Sequence, residues 1–287
     1  MVNQIPIYVI GLESNFRGTD LLLRYQDFKL KAFPIFGPDY RNLQKFPAES
    51  KVNQELAIQF IYRNYLMGEI GCYMGHISAI KSFLGTESEW ALILEDDAKP
   101  LEEISSISID QYLSSQPTII QVHDHTPNIK EIKSIKYKKT NMYIDNRNIG
   151  LKKLVRPLFG TSAYLINRKA ANVALSDFEN FGVYSTVDWP PGWVANIEFW
   201  RSETLLFFHD TSGSNTQIDV TFSRLKDLER LTTMKKFIEL LQYLLGLKSF
   251  RSSRLGNSFK NTYMYGLVLT RYRILYLVSA TKEKFRI

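Results

Sequence analysis

The chain has 287 residues, 45% of them hydrophobic and 23% charged. That is enough apolar content for one large domain or two modest ones, and it excludes a disordered chain. A single cysteine, Cys72, excludes an internal disulfide framework and points to a reducing compartment. The net charge of +7 is unevenly placed: residues 222–287 carry fourteen Lys/Arg against four Asp/Glu, which leaves the first 221 residues at −3.

The N-terminal stretch MVNQIPIYVIGL has no basic region followed by a long apolar run, so no signal peptide is expected. IPIYVIGL (5–12) is short, apolar and β-branched, and predicts a buried strand ending at Gly11. Residues 17–31 predict a helix, and AFPIFGPD (32–39) a strand closed by a turn at Pro34, Gly37 and Pro38. This β-α-β start predicts an α/β domain with a largely parallel sheet. A helix is expected over 54–66. A second follows Gly68 and Glu69, with Ile70, Tyr73, Met74, Ile77, Ile80 and Leu84 spaced for one buried face. Further strands are expected at WALILE (90–95), PTIIQVHD (117–124), GTSAYLIN (160–167) and TLLFFHD (204–210), with a helix at RKAANVAL (168–175). Beyond 222 the pattern changes to a long amphipathic helix, with Leu225, Leu228, Leu231, Phe237 and Leu241 interleaved by Arg224, Lys226, Arg230, Lys235 and Lys236. A basic loop (247–261) and another helix (262–281) complete the chain. The most apolar window, 263–280, is broken by Arg271 and Arg273 and is not expected to span a bilayer.

The stretch ALILEDDAKP (91–100) ends a buried strand in three carboxylates, Glu95, Asp96 and Asp97. In open α/β sheets ligands bind at the carboxyl ends of strands. Carboxylates at i and i+2 leaving a strand can turn to one side and meet a hard divalent cation such as Mg²⁺ or Mn²⁺, which completes its shell with substrate phosphates. A solvated acidic turn is the other reading of the same triplet.

GEIGCYMGH (68–76), followed some twenty residues later by LEDD (94–97), resembles glycosyltransferase family 25, the enzymes of bacterial lipooligosaccharide biosynthesis and the related collagen galactosyltransferase domains. The resemblance spans roughly residues 5–215. VIGLESNFR (9–17), GTSAYLINRKAA (160–171) and VDW (187–189) are similar to further family motifs. Gly11 stands where the family usually has asparagine, and Gly75 where it has serine. The resemblance implies a GT-A fold, Rossmann-like with a mostly parallel sheet flanked by helices, expected here over residues 1–221; charge and helical spacing make 222–287 a basic helical extension. It implies an inverting hexose transfer, usually galactose from UDP-galactose. By the same resemblance Asp97 is the direct metal ligand, Glu95 lies near the ribose or the metal, and Asp96 supports them. Gly11, Leu12 and Arg17 fall on the nucleotide side, with Arg17 pairing to phosphate, stacking on uracil or facing solvent. Glu69 and His76 are assigned to the donor-sugar pocket.

Inversion needs a general base at the acceptor hydroxyl. Asp188 is the candidate, with Glu198 and Asp210 as rivals, and the neighbouring Trp189 and Trp193 offer flat faces for acceptor sugars. His209, at the end of TLLFFH, fits a second metal ligand. His123 and His125 are expected to line a pocket, and Cys72 to serve packing. The expected cofactor is Mn²⁺ or Mg²⁺, and the expected partners are a UDP-hexose donor and a glycolipid oligosaccharide acceptor. The basic C-terminal segment is expected either to cap the core or to dock on an anionic membrane surface, which would place the protein at the cytoplasmic face of the bacterial inner membrane. UDP-glucose as donor, a non-catalytic glycan- or nucleotide-binding homologue and a nucleic-acid binder are the alternatives. The last has no recognition motif in its favour and leaves the acidic triplet unexplained.

Overall fold

The computed structural model describes residues 5–209, apart from 29, 42, 44, 62–64, 102–103, 105, 110, 125–139, 146, 155–156 and 159. The chain divides into two compact units: Met1–Asn53 with Leu66–Gln217, and Gln54–Tyr65 with Ile218–Ile287. The basic helices expected beyond 222, and His125 and Asp210, lie outside the described residues. No helix among the described residues is long and apolar enough to cross a membrane.

The first unit is built on a nine-stranded sheet. It starts with β1 (Ile7–Gly11), α1 (Thr19–Asp27) and β2 (Ala32–Phe36). Helix α2 (Gln54–Ile61) belongs to the second unit. Then come α3 (Met67–Leu84), β3 (Trp90–Glu95), β4 (Ala98–Pro100), β5 (Ile107–Ile109), α4 (Gln111–Ser115), β6 (Thr118–Gln121) and β7 (His123–Asp124). A hairpin of β8 (Thr140–Ile144) and β9 (Arg147–Lys153) leads to β10 (Ala163–Asn167), α5 (Arg168–Phe181), α6 (Pro191–Asn196), β11 (Glu198–Ser202) and β12 (Phe207–His209). The strand order of the large sheet is β2-β1-β3-β10-β6-β11-β9-β8-β5, and β4-β12-β7 form a small second sheet.

The sheet is mixed, not largely parallel as the sequence start suggested. β2, β1 and β3 run parallel, as do β6 and β11, but β10 lies antiparallel to both β3 and β6, and β9, β8 and β5 add antiparallel pairs. The physical reason for the hairpin is the short link between β8 and β9, through Asp145 at φ 48°, which permits only an antiparallel neighbour. The sequence reading assigns no strands to β8, β9 or β11, whose segments are too polar to stand out. The resulting directions put the C-terminal ends of β1, β3 and β6 and the N-terminal end of β10 on one edge of the sheet.

Helix α3 lies against that edge. Gly71 and Gly75, one turn apart, let it approach the turn after β2: a Cβ on Gly71 would sit 2.5 Å from the Pro38 carbonyl oxygen, and one on Gly75 2.8 Å from the Ile10 side chain. The helix is buried on more than the one predicted face. Ile70, Tyr73, His76, Ile77, Ala79, Ile80 and Phe83 are all buried, because α3 packs on both the sheet and α5. The Arg168 guanidinium gathers the carbonyls of Leu84, Thr86 and Ser88, satisfying groups at and just beyond the C-terminus of α3. Asn167 caps α5 by accepting from the Ala170 amide at 2.8 Å.

Candidate active site

Glu95 ends β3 beside Ile10 of β1, and its amide donates to the Ser162 carbonyl at 2.8 Å. Its Oε1 accepts from the Thr161 hydroxyl at 2.8 Å and lies 3.2 Å from His76 Nε2. A carboxylate only accepts, so Nε2 carries the proton there, and the Tyr164 hydroxyl meets Nδ1 at 2.9 Å. His76 is fully buried and its ring stacks on Tyr164. Burial alone would raise the Glu95 carboxyl. The His76 hydrogen bond and charge, with Thr161 and the His209 charge, outweigh it and hold Glu95 below the usual carboxylate range.

Asp96 turns the other way. Its amide donates to the Ile10 carbonyl, and its carboxylate takes the Arg17 amide at 3.1 Å and the guanidinium at 2.6 Å. The same guanidinium reaches Asp97 Oδ2 at 3.1 Å. The structure thus gives Arg17 a role as the counter-charge of the acidic triplet. A Cβ on Gly11 would stand 2.7 Å from Asp96 Oδ2 and 2.6 Å from the Phe16 ring, so this packing needs glycine there. Leu12 follows at the end of β1, where its carbonyl accepts from the Asn15 amide.

Asp97 is raised to about 6, by burial first and then by the Glu95 charge; His209 and Arg17 pull the other way. His209 reaches it through the small sheet. β12 pairs antiparallel with β4, His209 opposite Ala98, while the amides of Leu206 and Phe207 donate to the Val122 carbonyl. His209 Nδ1 then lies 3.4 Å from Asp97 Oδ1. That oxygen is buried without a hydrogen bond, and the separation is within about half an ångström of the ~3.0 Å between adjacent ligands some 2.1 Å from one octahedral cation. Ligand atoms of Glu95, Asp97 and His209 lie within 4.8 Å of one another. An orphaned buried carboxylate oxygen facing a histidine nitrogen fits a divalent cation.

Asp188 joins the same cluster. It accepts from the Gly160 amide, yet burial and then the Glu95 charge raise it to about 6. The turn is held by Trp189, which takes a left-handed φ of 60° although it is not glycine. Its indole donates to the Leu158 carbonyl at 2.6 Å, and its ring packs edge-on against Tyr164 and Phe199. Strain of this kind persists where surrounding packing dictates it. The Tyr184 hydroxyl donates to buried Asp177 and accepts from the Gly192 amide, pinning α6 behind the turn.

A family profile described as "Glycosyltransferase family 25 (LPS biosynthesis protein)" matches residues 4–188. The chain belongs to glycosyltransferase family 25. A search of curated proteins finds no match.

Family 25 membership makes the protein a glycosyltransferase of lipopolysaccharide biosynthesis, with a sugar donor and an oligosaccharide or glycolipid acceptor. The matched region contains Glu95, Asp96, Asp97, Glu69, His76 and Asp188; His209 lies beyond it. Several expectations need correction. Trp193 is 0% exposed and packs on Tyr73, and Trp189 is 6% exposed, so neither presents a face to an acceptor sugar. Their apolar rings are consumed in fixing the Asp188 turn. Glu198 begins β11 opposite Thr118, at the far edge of the sheet from Glu95, and pairs with Lys153. His123 is buried, with Nδ1 donating to the Ala163 carbonyl at 2.8 Å, a structural place and not a pocket wall. Glu69 closes the N-terminus of α3 by accepting from the Leu66 amide at 3.1 Å, and its charge still reaches Asp188. Cys72, expected to be packing, is solvent-exposed. Crowding by protein and then the carboxylates of Glu95, Asp188, Asp97 and Glu69 push its thiol well up. The sequence reading gave no role to Thr161 or Tyr164. Their signal is the Gly-Thr-x-x-Tyr pattern of 160–164, which the sequence marks as a strand and a family motif without pointing to either side chain.

Proposed function

We propose that this family 25 enzyme is a metal-dependent, inverting UDP-hexose transferase, with galactose as the sugar and a lipooligosaccharide as the acceptor. The observation that carries the reading is the convergence of Glu95, Asp97 and His209 beside a half-buried carboxylate, Asp188, whose affinity for protons is raised.

Glu95, Asp97 and His209 would hold Mn²⁺ or Mg²⁺, which supplies charge stabilisation to the departing diphosphate. Arg17 balances Asp96 and keeps the triplet from repelling itself apart. His76, locked between Tyr164 and Glu95, fixes the Glu95 carboxylate against the sheet edge. Asp188 takes the proton from the acceptor hydroxyl as that oxygen attacks the anomeric carbon and the bond to the diphosphate breaks. A carboxyl poised near 6 is ionised at neutral pH yet more basic than an ordinary aspartate, as a general base should be. Glu69 sits close enough to sense Asp188 and is assigned to the donor sugar. The acceptor glycolipid would be met at the cytoplasmic face of the inner membrane.

The test is UDP release from UDP-galactose, UDP-glucose and UDP-N-acetylhexosamines, with Mn²⁺ and with chelator. Metal-dependent turnover of UDP-galactose is the expected result. Preference for UDP-glucose would change the sugar and keep the chemistry. No turnover and no nucleotide binding would overturn the reading.

A further inference from the structure

The acidic edge contains a second set of ligands. Cys72, His76 and Glu95 bring a thiol, an imidazole nitrogen and a carboxylate oxygen within 4.8 Å of one another. Cys72 and His76 stand one turn apart on α3, the i, i+4 spacing that puts two side chains on the same helix face. His76 Nε2 and Glu95 Oε1 are 3.2 Å apart; ligands about 2.1 Å from one tetrahedral cation are about 3.4 Å apart. The Cys72 sulfur, free of a disulfide, already lies within 4.8 Å of both and needs only to close on them.

We propose that Cys72, His76 and Glu95 form a thiophilic cation subsite, of the kind that takes Zn²⁺ or Co²⁺, next to the oxygen-rich site and sharing Glu95 with it. Sulfur and imidazole select borderline-soft cations over Mg²⁺ and Mn²⁺. The proton balance is simple. Glu95 is already a carboxylate, and the thiol gives up its proton to solvent as the sulfur–metal bond forms. The His76 proton moves from Nε2 to Nδ1, freeing the Nε2 lone pair. The Tyr164 hydroxyl, 2.9 Å from Nδ1, serves either tautomer because it both donates and accepts. A hydroxyl or carboxylate that orients the far nitrogen is the usual support of a metal-bound histidine. Because Glu95 serves both sets, a cation held by Cys72 and His76 takes a ligand away from the donor-side cation. Only this consequence rests on the function proposed above.

Co²⁺ titration of the full chain tests the site directly, with absorption spectroscopy as readout. A thiolate-to-cobalt charge-transfer band in the near ultraviolet, with tetrahedral visible bands, is expected. Cys72→Ser should abolish the band and weaken Zn²⁺ binding at least tenfold by calorimetric competition. Asp97→Asn, which touches only the other ligand set, should keep the band while no longer attenuating the free-Mn²⁺ signal in electron paramagnetic resonance. Absence of the band, or equal Zn²⁺ affinity in Cys72→Ser and the unaltered chain, would overturn the proposal. A persistent band in a protein that neither binds Mn²⁺ nor turns over donor would overturn the proposed function and leave this site standing.

Discussion

Asp97 Oδ1 and His209 Nδ1 face each other at 3.4 Å, although one follows β3 and the other ends β12, the last described strand. The small sheet makes this meeting: Ala98, one residue past Asp97, is the register partner of His209. If this pair holds the donor-side cation, Asp97→Asn should weaken Mn²⁺ binding by about a hundredfold or more, since losing a mere supporting partner already costs 10- to 100-fold. His209→Ala should act in the same direction and less strongly, a carboxylate contributing charge as well as a lone pair. Titration of Mn²⁺ by electron paramagnetic resonance checks both. Unchanged affinity in Asp97→Asn would remove the assignment.

Asp188→Asn keeps the shape of the turn and removes the base. Transfer should fall about 10²- to 10⁴-fold, with UDP affinity in the presence of Mn²⁺ within twofold of the original. Since the carboxyl lies at about 6, kcat/KM should rise with pH through about 6 and level off above it. Asp97 titrates in the same range when no cation is bound. The profile is therefore recorded at saturating Mn²⁺, where the cation keeps Asp97 ionised. A pH–rate profile without that limb would exclude Asp188 as the base.

Stability should carry the same signature. Asp188 has its ordinary value of 3.8 in the unfolded chain and about 6 in the folded one. Between these values the folded state binds more protons, so stability falls as pH rises from about 4 to about 6. Two units correspond to ~3 kcal/mol, and because Asp188 is only partly buried about 1–2 kcal/mol is expected. Urea midpoints measured in chelator at pH 4.5 and 7 should show Asp188→Asn gaining at pH 7 relative to pH 4.5. An equal effect at both values would contradict the raised carboxyl.

The seat of α3 gives a prediction independent of chemistry. Gly71→Ala drives a Cβ to 2.5 Å from the Pro38 carbonyl oxygen, which is backbone and cannot rotate away. Overpacking of this sort costs about 1–3 kcal/mol, offset by up to ~1 kcal/mol of helix propensity. Gly85→Ala meets nothing closer than 3.4 Å and should be near neutral. Equal urea midpoints for the two variants would mean that α3 is not held by this close approach.

Much of the scaffold was legible in local pattern. WALILE is the strand Trp90–Glu95 residue for residue, and Met67–Leu84 follows the helix periodicity read from Ile70, Tyr73, Ile77 and Ile80. Strands with three or more buried β-branched or aliphatic residues announce themselves. The β8–β9 hairpin did not, because Thr140–Ile144 and Arg147–Lys153 alternate weakly and carry many polar groups. The Trp189 and Trp193 platforms failed for a related reason. Composition says that an indole is present, and only packing says whether its face reaches water.

By itself the sequence determined that a buried strand ends in Glu95, Asp96 and Asp97, that an amphipathic helix precedes it, and that the motifs are those of family 25. These are local facts, written in residue type and spacing. Only the tertiary structure decided that His209 meets Asp97, that Arg17 neutralises Asp96, that Cys72 and His76 share a helix face with Glu95 in reach, and that Asp188 holds its proton to about 6. Strand register and burial are properties of distant segments brought together. The ionisation of a carboxylate follows from the charges and the water that this meeting leaves around it.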